Sequence, residues 1–165
     1  MAIVIHSSEP PPVGEEVFRV RIPSRLEEKT PIIRQVLEKL RQDRFIGSQD
    51  EMQVRLCLDE AIINAMRHGN GYDESKSVTI GLYAGSDEWA IRIEDEGEGF
   101  IPSDVPDVNN PESLLLEGGR GILLITQFMD HVWYYSEGRA LQLSKRRITF
   151  FRKVRRVPQR LGRRL

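Results

Sequence analysis

Hydrophobic and polar residues follow one another with different periods along this chain, and each period predicts an element. In residues 17–22, apolar side chains alternate with Arg19 and Arg21, which is typical of a half-buried strand. In the two stretches that follow, apolar residues recur every three or four positions, which predicts helices over residues 25–44 and 49–68. The apolar stripes are Ile32, Ile33, Val36, Leu37 and Leu40 in the first helix, and Val54, Leu58, Ala61, Ile62 and Ala65 in the second.

Residues that begin or end helices flank both stretches. Ser24, with Glu27 three positions later, forms a capping-box pattern, so Ser24 is the predicted N-cap of the first helix. Gly47 separates the two helices, and Gly69-Asn70-Gly71 predicts the end of the second.

The second half of the chain contains predicted strands around a long glycine-rich segment. Residues 78–83 and 89–93 form two strands joined by Gly85-Ser86-Asp87, a pattern typical of a hairpin. Residues 95–121 are rich in Gly, Pro, Asp, Asn and Glu, and such a long loop in a compact domain is usually functional, often as a lid. The remaining predicted elements are a helix over 121–129, strands over 132–135 and 140–143, and an extension of the last strand over 148–151.

Strands and helices are therefore segregated along the chain rather than strictly alternating. This order predicts an α+β fold, a two-layer α/β sandwich in which a mixed, mostly antiparallel sheet carries helices on one face. The predicted domain organisation is a flexible leader over residues 1–16, one folded domain over 17–145 and a basic tail over 146–165.

Composition narrows the class of protein. The 165 residues are 39% hydrophobic and 30% charged, as expected for a soluble globular domain. Cys57 is the only cysteine, which excludes an internal disulfide, and its apolar helical setting predicts a buried, inert thiol. No run approaches the roughly 18 apolar residues of a membrane helix, and the start lacks the basic residues of a signal peptide. We therefore expect a cytoplasmic protein without membrane contact.

Charge is distributed unevenly, although the net charge is only −1. From His131 onward there are eleven Lys or Arg residues and one acidic residue, Glu137, so the rest of the chain is acidic. This asymmetry can steer charged partners, although a solvated terminus is the plainer interpretation. Only Phe150 and Phe151 are aromatic in the tail, which does not indicate base stacking, and we expect no direct binding of nucleic acid.

Three segments contain residues suited to nucleotide chemistry, and the first lies on the second helix. Glu60 and Asn64 are four positions apart and therefore share one face. An Asn oxygen together with phosphate oxygens suits Mg²⁺, and a carboxylate one turn earlier can accept a proton from a hydroxyl. Taken alone, the pair is better interpreted as solvated polar residues of an amphipathic helix.

The second segment, Asp95-Glu96-Gly97-Glu98-Gly99, follows the 89–93 strand directly. A carboxylate at a strand end can accept a hydrogen bond from a purine amine, and the glycines let the backbone approach the ring. An acidic turn after an edge strand is the alternative.

The third segment, Gly118-Gly119-Arg120-Gly121, leads into the predicted helix over 121–129 and is followed by the apolar Ile122. Glycines at a helix start expose backbone N–H groups to phosphate, although the same glycines occur at ordinary loop–helix junctions. The spacing excludes a P-loop and the Rossmann pattern.

The order and spacing of these segments resemble the N, G1 and G2 boxes of the GHKL (Bergerat-fold) superfamily of ATPases and kinases, over residues 17–145. The form Glu60-Ala-x-x-Asn64-Ala, followed by Arg67-His68-Gly69-Asn70, resembles the anti-sigma-factor serine/threonine kinase branch. The resemblance implies a Bergerat-type sandwich with a mobile ATP lid, and ATP and Mg²⁺ as ligands.

The resemblance also implies roles for particular residues. Glu60 would be the general base, and Asn64 would hold Mg²⁺. Asp95 would bind the adenine, with Gly97 and Gly99 framing its pocket. Arg67 would reach a phosphate or remain a solvated charge at the helix end, and His68 is expected to be structural. The implied ATP-binding residues are Asn64, Arg67, Asp95, Gly97, Gly99, Gly119, Arg120, Gly121 and Ile122.

The implied function is transfer of the ATP γ-phosphate to a Ser or Thr of a small STAS-type antagonist protein, in a partner-switching system with a sigma factor. A homodimer is also implied, for which the 17–22 edge strand and the first helix are candidates. The alternative is a module that binds a regulator and uses ATP without turnover. Two features depart from the family pattern, namely Gly138-Arg139, where a Gly-Thr pair is usual, and the basic tail.

Overall fold

The computed structural model describes residues 5–100 and 119–147. Within these ranges the elements follow the predicted order. They are β1 (Glu15–Pro23), α1 (Leu26–Gln42), α2 (Ser48–Asn64), a π-helical turn (Ala65–Gly69), β2 (Ser77–Ala84), β3 (Glu88–Glu94), α3 (Gly119–Phe128), β4 (His131–Tyr135), a 3₁₀ turn (Ser136–Gly138) and β5 (Ala140–Arg146). Most of the predicted lid, over 95–121, and the predicted extension over 148–151 lie outside the described residues.

The five strands form one open sheet in the order β1-β2-β3-β5-β4. Every pair of neighbouring strands is antiparallel, and β2 and β3 form the predicted hairpin, closed by a hydrogen bond from Gly85 N to Glu88 O of 2.8 Å. The predicted α+β class with a mostly antiparallel sheet is therefore confirmed. β1 and β4 are the outer strands of this sheet.

The core lies between one face of the sheet and the helices. The predicted stripe of α1 is buried throughout, and so are Val54, Leu58, Ala61 and Ile62 of α2. The largest buried side chain, Trp89 on β3, belongs to the same cluster. Each fully buried Val, Leu or Ile side chain of the cluster stabilises the fold by about 1.5–3 kcal/mol. Alternating residues of the strands, such as Ile91 and Leu143, complete the cluster.

The start of α1 differs from the prediction. Arg25, and not Ser24, is the N-cap, and no side chain caps the helix. Ser24 is 2% exposed, and its hydroxyl accepts a hydrogen bond from the Asn70 amide instead. The prediction was wrong because a partner 46 positions along the chain competes for the same hydroxyl.

Two further expectations about α2 can be compared with the structure. Cys57 is buried, and burial raises the pKa of its thiol to about 11, in agreement with an inert thiol. The α-helix ends at Asn64, four residues before the predicted end, because the chain continues as the π-helical turn Ala65–Gly69.

No helix within residues 5–100 and 119–147 is both long and apolar enough to cross a bilayer.

Candidate functional site

The C-terminal end of α2 carries the first group of predicted site residues. Glu60 and Asn64 lie one turn apart and are half-buried, while Arg67 is half-buried and His68 is exposed in the π-helical turn. The wider turn shows in the hydrogen bond from Asn70 N to Ala65 O, which spans five residues at 2.9 Å. Such single π-turns are frequent at functional sites, because they change the direction of successive side chains.

The start of α3 lies directly against Glu60. A Cβ atom on Gly121 would lie 2.8 Å from Cδ of Glu60 and would overlap one of its carboxylate oxygens. A side chain at position 121 would therefore displace the Glu60 carboxylate from its place against α3. The contact joins the first and third of the predicted segments, and it brings the glutamate close to the backbone of a helix N-terminus, where N–H groups have no partner within the helix.

The first turn of α3 begins earlier than predicted. The helix starts at Gly119, so Gly119, Arg120 and Gly121 are its first three residues, and Ile122 is half-buried behind them. The dipole of a helix favours anions at this end. The backbone therefore has the direction that phosphate binding requires, next to a carboxylate on the neighbouring helix.

Asp95, the first residue after β3, is half-buried against the π-helical turn. A Cβ atom on Gly69 would overlap the Asp95 carboxylate, so this glycine and this carboxylate are in direct contact. Gly97 N donates a hydrogen bond of 2.9 Å to Oδ1 of Asp95, and Asp95 N donates one of 3.0 Å to the carbonyl of Arg139. Burial raises the pKa of Asp95, while the bond from Gly97 and the positive charge of Arg139 oppose this change.

The two glycines after Asp95 meet other segments of the chain at close range. A Cβ atom on Gly97 would overlap the carbonyl oxygen of Gly69. Gly99 has φ +83°, and a Cβ atom there would overlap the carbonyl oxygen of Glu137. Both positions therefore require glycine for the fold of the loop itself, which closes one side of the Asp95 carboxylate.

Arg139, which departs from the family pattern, is held at the rim of this region. Its Nε donates to Ser136 O at 3.1 Å, and its guanidinium forms an ion pair with Glu137 at 3.4 Å. The guanidinium is thus engaged with the 3₁₀ turn, and the backbone carbonyl of Arg139 accepts from Asp95 N. The guanidinium therefore contacts the 3₁₀ turn, while its positive charge still acts on the Asp95 carboxylate and opposes the rise of its pKa.

Two residues of the site were not predicted as such. Gly69 and Asn70 were interpreted as the end of a helix and as part of the pattern that resembles the anti-sigma-factor branch, without a role of their own, yet Gly69 contacts Asp95 and the Asn70 side chain binds the loop after β3. The signal that could have identified them is the run Gly69-Asn70-Gly71 after the predicted helix, since a helix stop needs only one such residue.

The donor set determines how Mg²⁺ could be held. Within the described ranges, no three His, Cys, Asp or Glu residues come together as in a site built by protein alone. Mg²⁺ commonly takes one or two protein oxygens and completes its shell with waters and nucleotide phosphates. The amide oxygen of Asn64, one turn from Glu60, fits that mode, whereas a protein-only cage is not supported by these residues.

The chain resembles known proteins over the segments described above. Residues 22–145 match the family model described as a histidine kinase-like ATPase domain. An anti-sigma F factor of Clostridium perfringens is 33% identical over 88 residues, which cover 51% of this chain and 61% of that protein. A serine-protein kinase RsbW of Listeria monocytogenes is 27% identical over 99 residues, which cover 56% of this chain and 63% of that protein.

A longer match is found with a serine-protein kinase RsbW of Staphylococcus aureus. It is 29% identical over 132 residues, which cover 74% of this chain and 81% of that protein. By contrast, the chain spans only about three fifths of the length of the anti-sigma F factor and of the Listeria kinase.

Proposed function

The chain belongs to the family of histidine kinase-like ATPase domains, and from this membership we propose that it is an ATP-dependent protein serine/threonine kinase of the anti-sigma-factor branch. Its substrate is a Ser or Thr of a small STAS-type antagonist protein, and a sigma factor is its second partner. The names of the relatives, anti-sigma F factor and serine-protein kinase RsbW, support this proposal. A homodimer belongs to the same proposal, and β1, an outer strand of the sheet that the structure describes, is a candidate surface for it.

The contact between Gly121 and Glu60 is the observation that carries the proposal. A phosphate held by the first turn of α3 would lie beside this carboxylate, and the two negative charges would repel each other. A general base at this position explains why the chain keeps an acidic side chain there. Pure nucleotide binding would gain nothing from it.

The proposed reaction is a direct transfer of the γ-phosphoryl group. The Ser or Thr hydroxyl oxygen attacks the γ-phosphorus, the bond from this phosphorus to the β–γ bridging oxygen breaks, and ADP leaves with that electron pair. Glu60 accepts the proton of the attacking hydroxyl. The backbone N–H groups at Gly119 and Gly121 bind phosphate oxygens, and the Asp95 carboxylate accepts a hydrogen bond from the 6-amino group of adenine.

Asn64 is the proposed protein ligand of Mg²⁺, through its side-chain oxygen. When bound, the ion neutralises charge on the phosphates. Asn64 is fixed for this purpose because it is the last residue of α2, directly before the π-helical turn. Arg67 stands within that turn and is proposed as a further phosphate contact.

Replacement of Glu60 by Gln tests the proposal. The amide keeps the shape of the side chain but cannot accept the proton, so we expect ATP binding within about threefold of wild type and transfer reduced by roughly 10²–10⁴-fold. Binding is measured by isothermal titration with Mg-ATP. Transfer is measured with γ-labelled ATP and a panel of STAS-domain proteins from the same genome.

Asp59→Asn is the matched control. Asp59 precedes Glu60 on the same helix, but its carboxylate forms an ion pair with Lys29 of α1. This variant removes the same charge from the adjacent position, and transfer should stay near the wild-type rate. Equal losses in both variants would contradict the general-base role. A wild-type protein that binds ATP and phosphorylates no member of the panel would favour the regulator-binding module without turnover.

A further inference from the structure

Asn70 is buried between four segments of the chain and uses its side chain to join them. It is 3% exposed. Its Nδ2 group donates to Ser24 Oγ at 2.7 Å and to Ser77 O at 2.9 Å, and its Oδ1 accepts from Glu96 N at 2.8 Å. Both amide donors are thereby engaged, together with the carbonyl oxygen. We call Ser24, Asn70, Ser77 and Glu96 the Asn70 cluster.

The bond from Glu96 N has a direct consequence for Asp95. Asn70 follows Gly69, and Glu96 follows Asp95, so the bond ties together the two residues next to the Gly69–Asp95 contact. On the other side, Gly97 packs against the carbonyl oxygen of Gly69. The Asp95 carboxylate is thus enclosed by two fixed points between the loop after β3 and the π-helical turn.

The side chain of Glu96 holds the same loop from its outer side. Its Oε2 accepts from Ser77 N at 2.6 Å, and its Oε1 accepts from Arg21 at 2.5 Å. These bonds direct the Glu96 carboxylate towards β1 and β2, whereas Asp95 lies against Gly69. Of the two adjacent acidic residues, only Asp95 therefore remains for a ligand on the π-turn side.

We propose that Asn70 is a positioning residue for recognition of the base: it fixes the Asp95 carboxylate where the 6-amino group of adenine arrives. The inference rests on the proposed function, because it requires that Asp95 binds adenine. Asn70 does not contact the nucleotide, and it acts through the Glu96 backbone. A merely structural Asn70 would stabilise the fold without affecting the choice between bases.

The test compares ATP with inosine triphosphate, which has a carbonyl oxygen in place of the 6-amino group. Isothermal titration at low temperature gives both dissociation constants, and their ratio measures base selectivity independently of the amount of folded protein. Wild type should prefer ATP. In Asn70→Ala, the Glu96 N–H loses its acceptor, the loop shifts, and the preference should fall by roughly tenfold.

Three further variants separate positioning from stability. Ser24→Ala removes one partner of the Asn70 amide and leaves the Glu96 bond in place, so it should lower the melting temperature and keep the wild-type preference. Asn70→Asp keeps an oxygen that accepts from Glu96 N, so it should retain the preference for ATP. It also places a second acceptor against the Ser77 carbonyl, so it should be less stable than wild type. Asn70→Ser is too short to reach Glu96 and replaces Asn70→Ala if that variant does not fold.

The outcomes distinguish this inference from the proposed function. Loss of preference in Asn70→Ala or Asn70→Ser, with retention in Ser24→Ala and Asn70→Asp, supports the positioning role. A wild-type preference in the folded Ala or Ser variant would overturn it and leave the proposed function intact. A wild-type protein that binds no ATP, or binds both nucleotides equally, would overturn the role of Asp95 first and this inference with it.

Discussion

The absence of a side chain at Gly69 matters to the candidate site. A Cβ atom there would overlap the Asp95 carboxylate. In Gly69→Ala the methyl group displaces this carboxylate and the proposed bond to adenine is lost, which should weaken ATP binding by about 1.5–3 kcal/mol, or roughly tenfold to a hundredfold. Isothermal titration with Mg-ATP measures the change.

Gly71→Ala is a suitable control for Gly69→Ala. Gly71 has φ +63°, and no neighbouring atom lies within 4 Å of the position that a methyl group would take, so alanine there costs about 1–2 kcal/mol of stability through backbone strain alone. It should leave ATP affinity unchanged. If the two variants lost the same affinity, strain at the end of α2, and not displacement of Asp95, would be the cause.

Single residues also define what could be predicted from the sequence at this scale. Glu60, Asn64 and Asp95 could be predicted as candidate site residues because each lies in a short local pattern, which can be interpreted without knowledge of distant segments. Ser24 was wrongly assigned as an N-cap, and the buried hydrogen bonds of Asn70 were not predicted. The two residues are partners that lie 46 positions apart, and short-range patterns do not show such a contact. A capping residue and a buried hydrogen-bond partner have the same sequence signature.

At the scale of elements, α1 contains a residue that works against its own helix. Pro31 lies inside the helix, beyond the first turn that begins at Leu26. Proline cannot donate to the carbonyl four residues earlier, that of Glu27, and its ring crowds this carbonyl. The buried stripe of α1 must therefore hold the helix on the sheet despite this local cost.

Pro31→Ala should stabilise the protein. Alanine restores the hydrogen bond to the Glu27 carbonyl, which favours the helix. The greater freedom of the unfolded chain offsets part of this gain, so the free energy of unfolding should rise by about 1 kcal/mol. Urea unfolding measures the change in the free energy of unfolding. The control is Arg34→Ala, at another exposed position of α1, whose stability should stay within about 0.5 kcal/mol of wild type. A destabilised Pro31→Ala would indicate that the packing of α1 on the sheet requires the backbone shape that proline imposes.

The end of α2 shows where element-scale prediction stops. The pattern of apolar residues extends to Ala65 and does not distinguish an α-helix from a π-helical turn, since one extra residue per turn changes only local hydrogen bonding. The existence and type of the helices and strands followed from periodicity, and their bounds mostly agree within two or three residues. The conversion of the last turn, which orients Arg67 and His68, could not be foreseen.

At the scale of the whole molecule, the order of the strands required the structure. Periodicity gives strands but not neighbours, and the insertion of β5 between β3 and β4 is a long-range pairing. The hairpin of β2 and β3 was predictable because its turn is local. The same limit applies to the leader, where the segment over 1–16 was predicted from composition alone and its contacts were not.

Residues 5–9 of the leader lie against the edge of the sheet that is opposite β1. Ile5 forms a parallel bridge with Tyr134 of β4, and the His6 ring stacks on Trp133 with a centroid distance of 3.5 Å. Trp133 also donates to the carbonyl of Ser8 at 3.2 Å, and Glu9 reaches Arg92 of β3 at 3.5 Å. Because β1 follows at the opposite edge, this stretch links the two sides of the sheet.

Tryptophan fluorescence can report on that link, since the chain has only two tryptophans. Trp89 is fully buried in the core, whereas Trp133 is half-buried and stacks against the His6 ring of the leader. His6→Ala removes the stacked ring, so the emission of Trp133 should shift to longer wavelength and stability should fall by about 0.5–1.5 kcal/mol. Ser7→Ala, at an exposed neighbouring position, should change neither, and Trp133→Phe assigns the signal. Unchanged emission in His6→Ala would mean that the backbone bonds of His6 and Ser8 hold the leader on β4 without the stack.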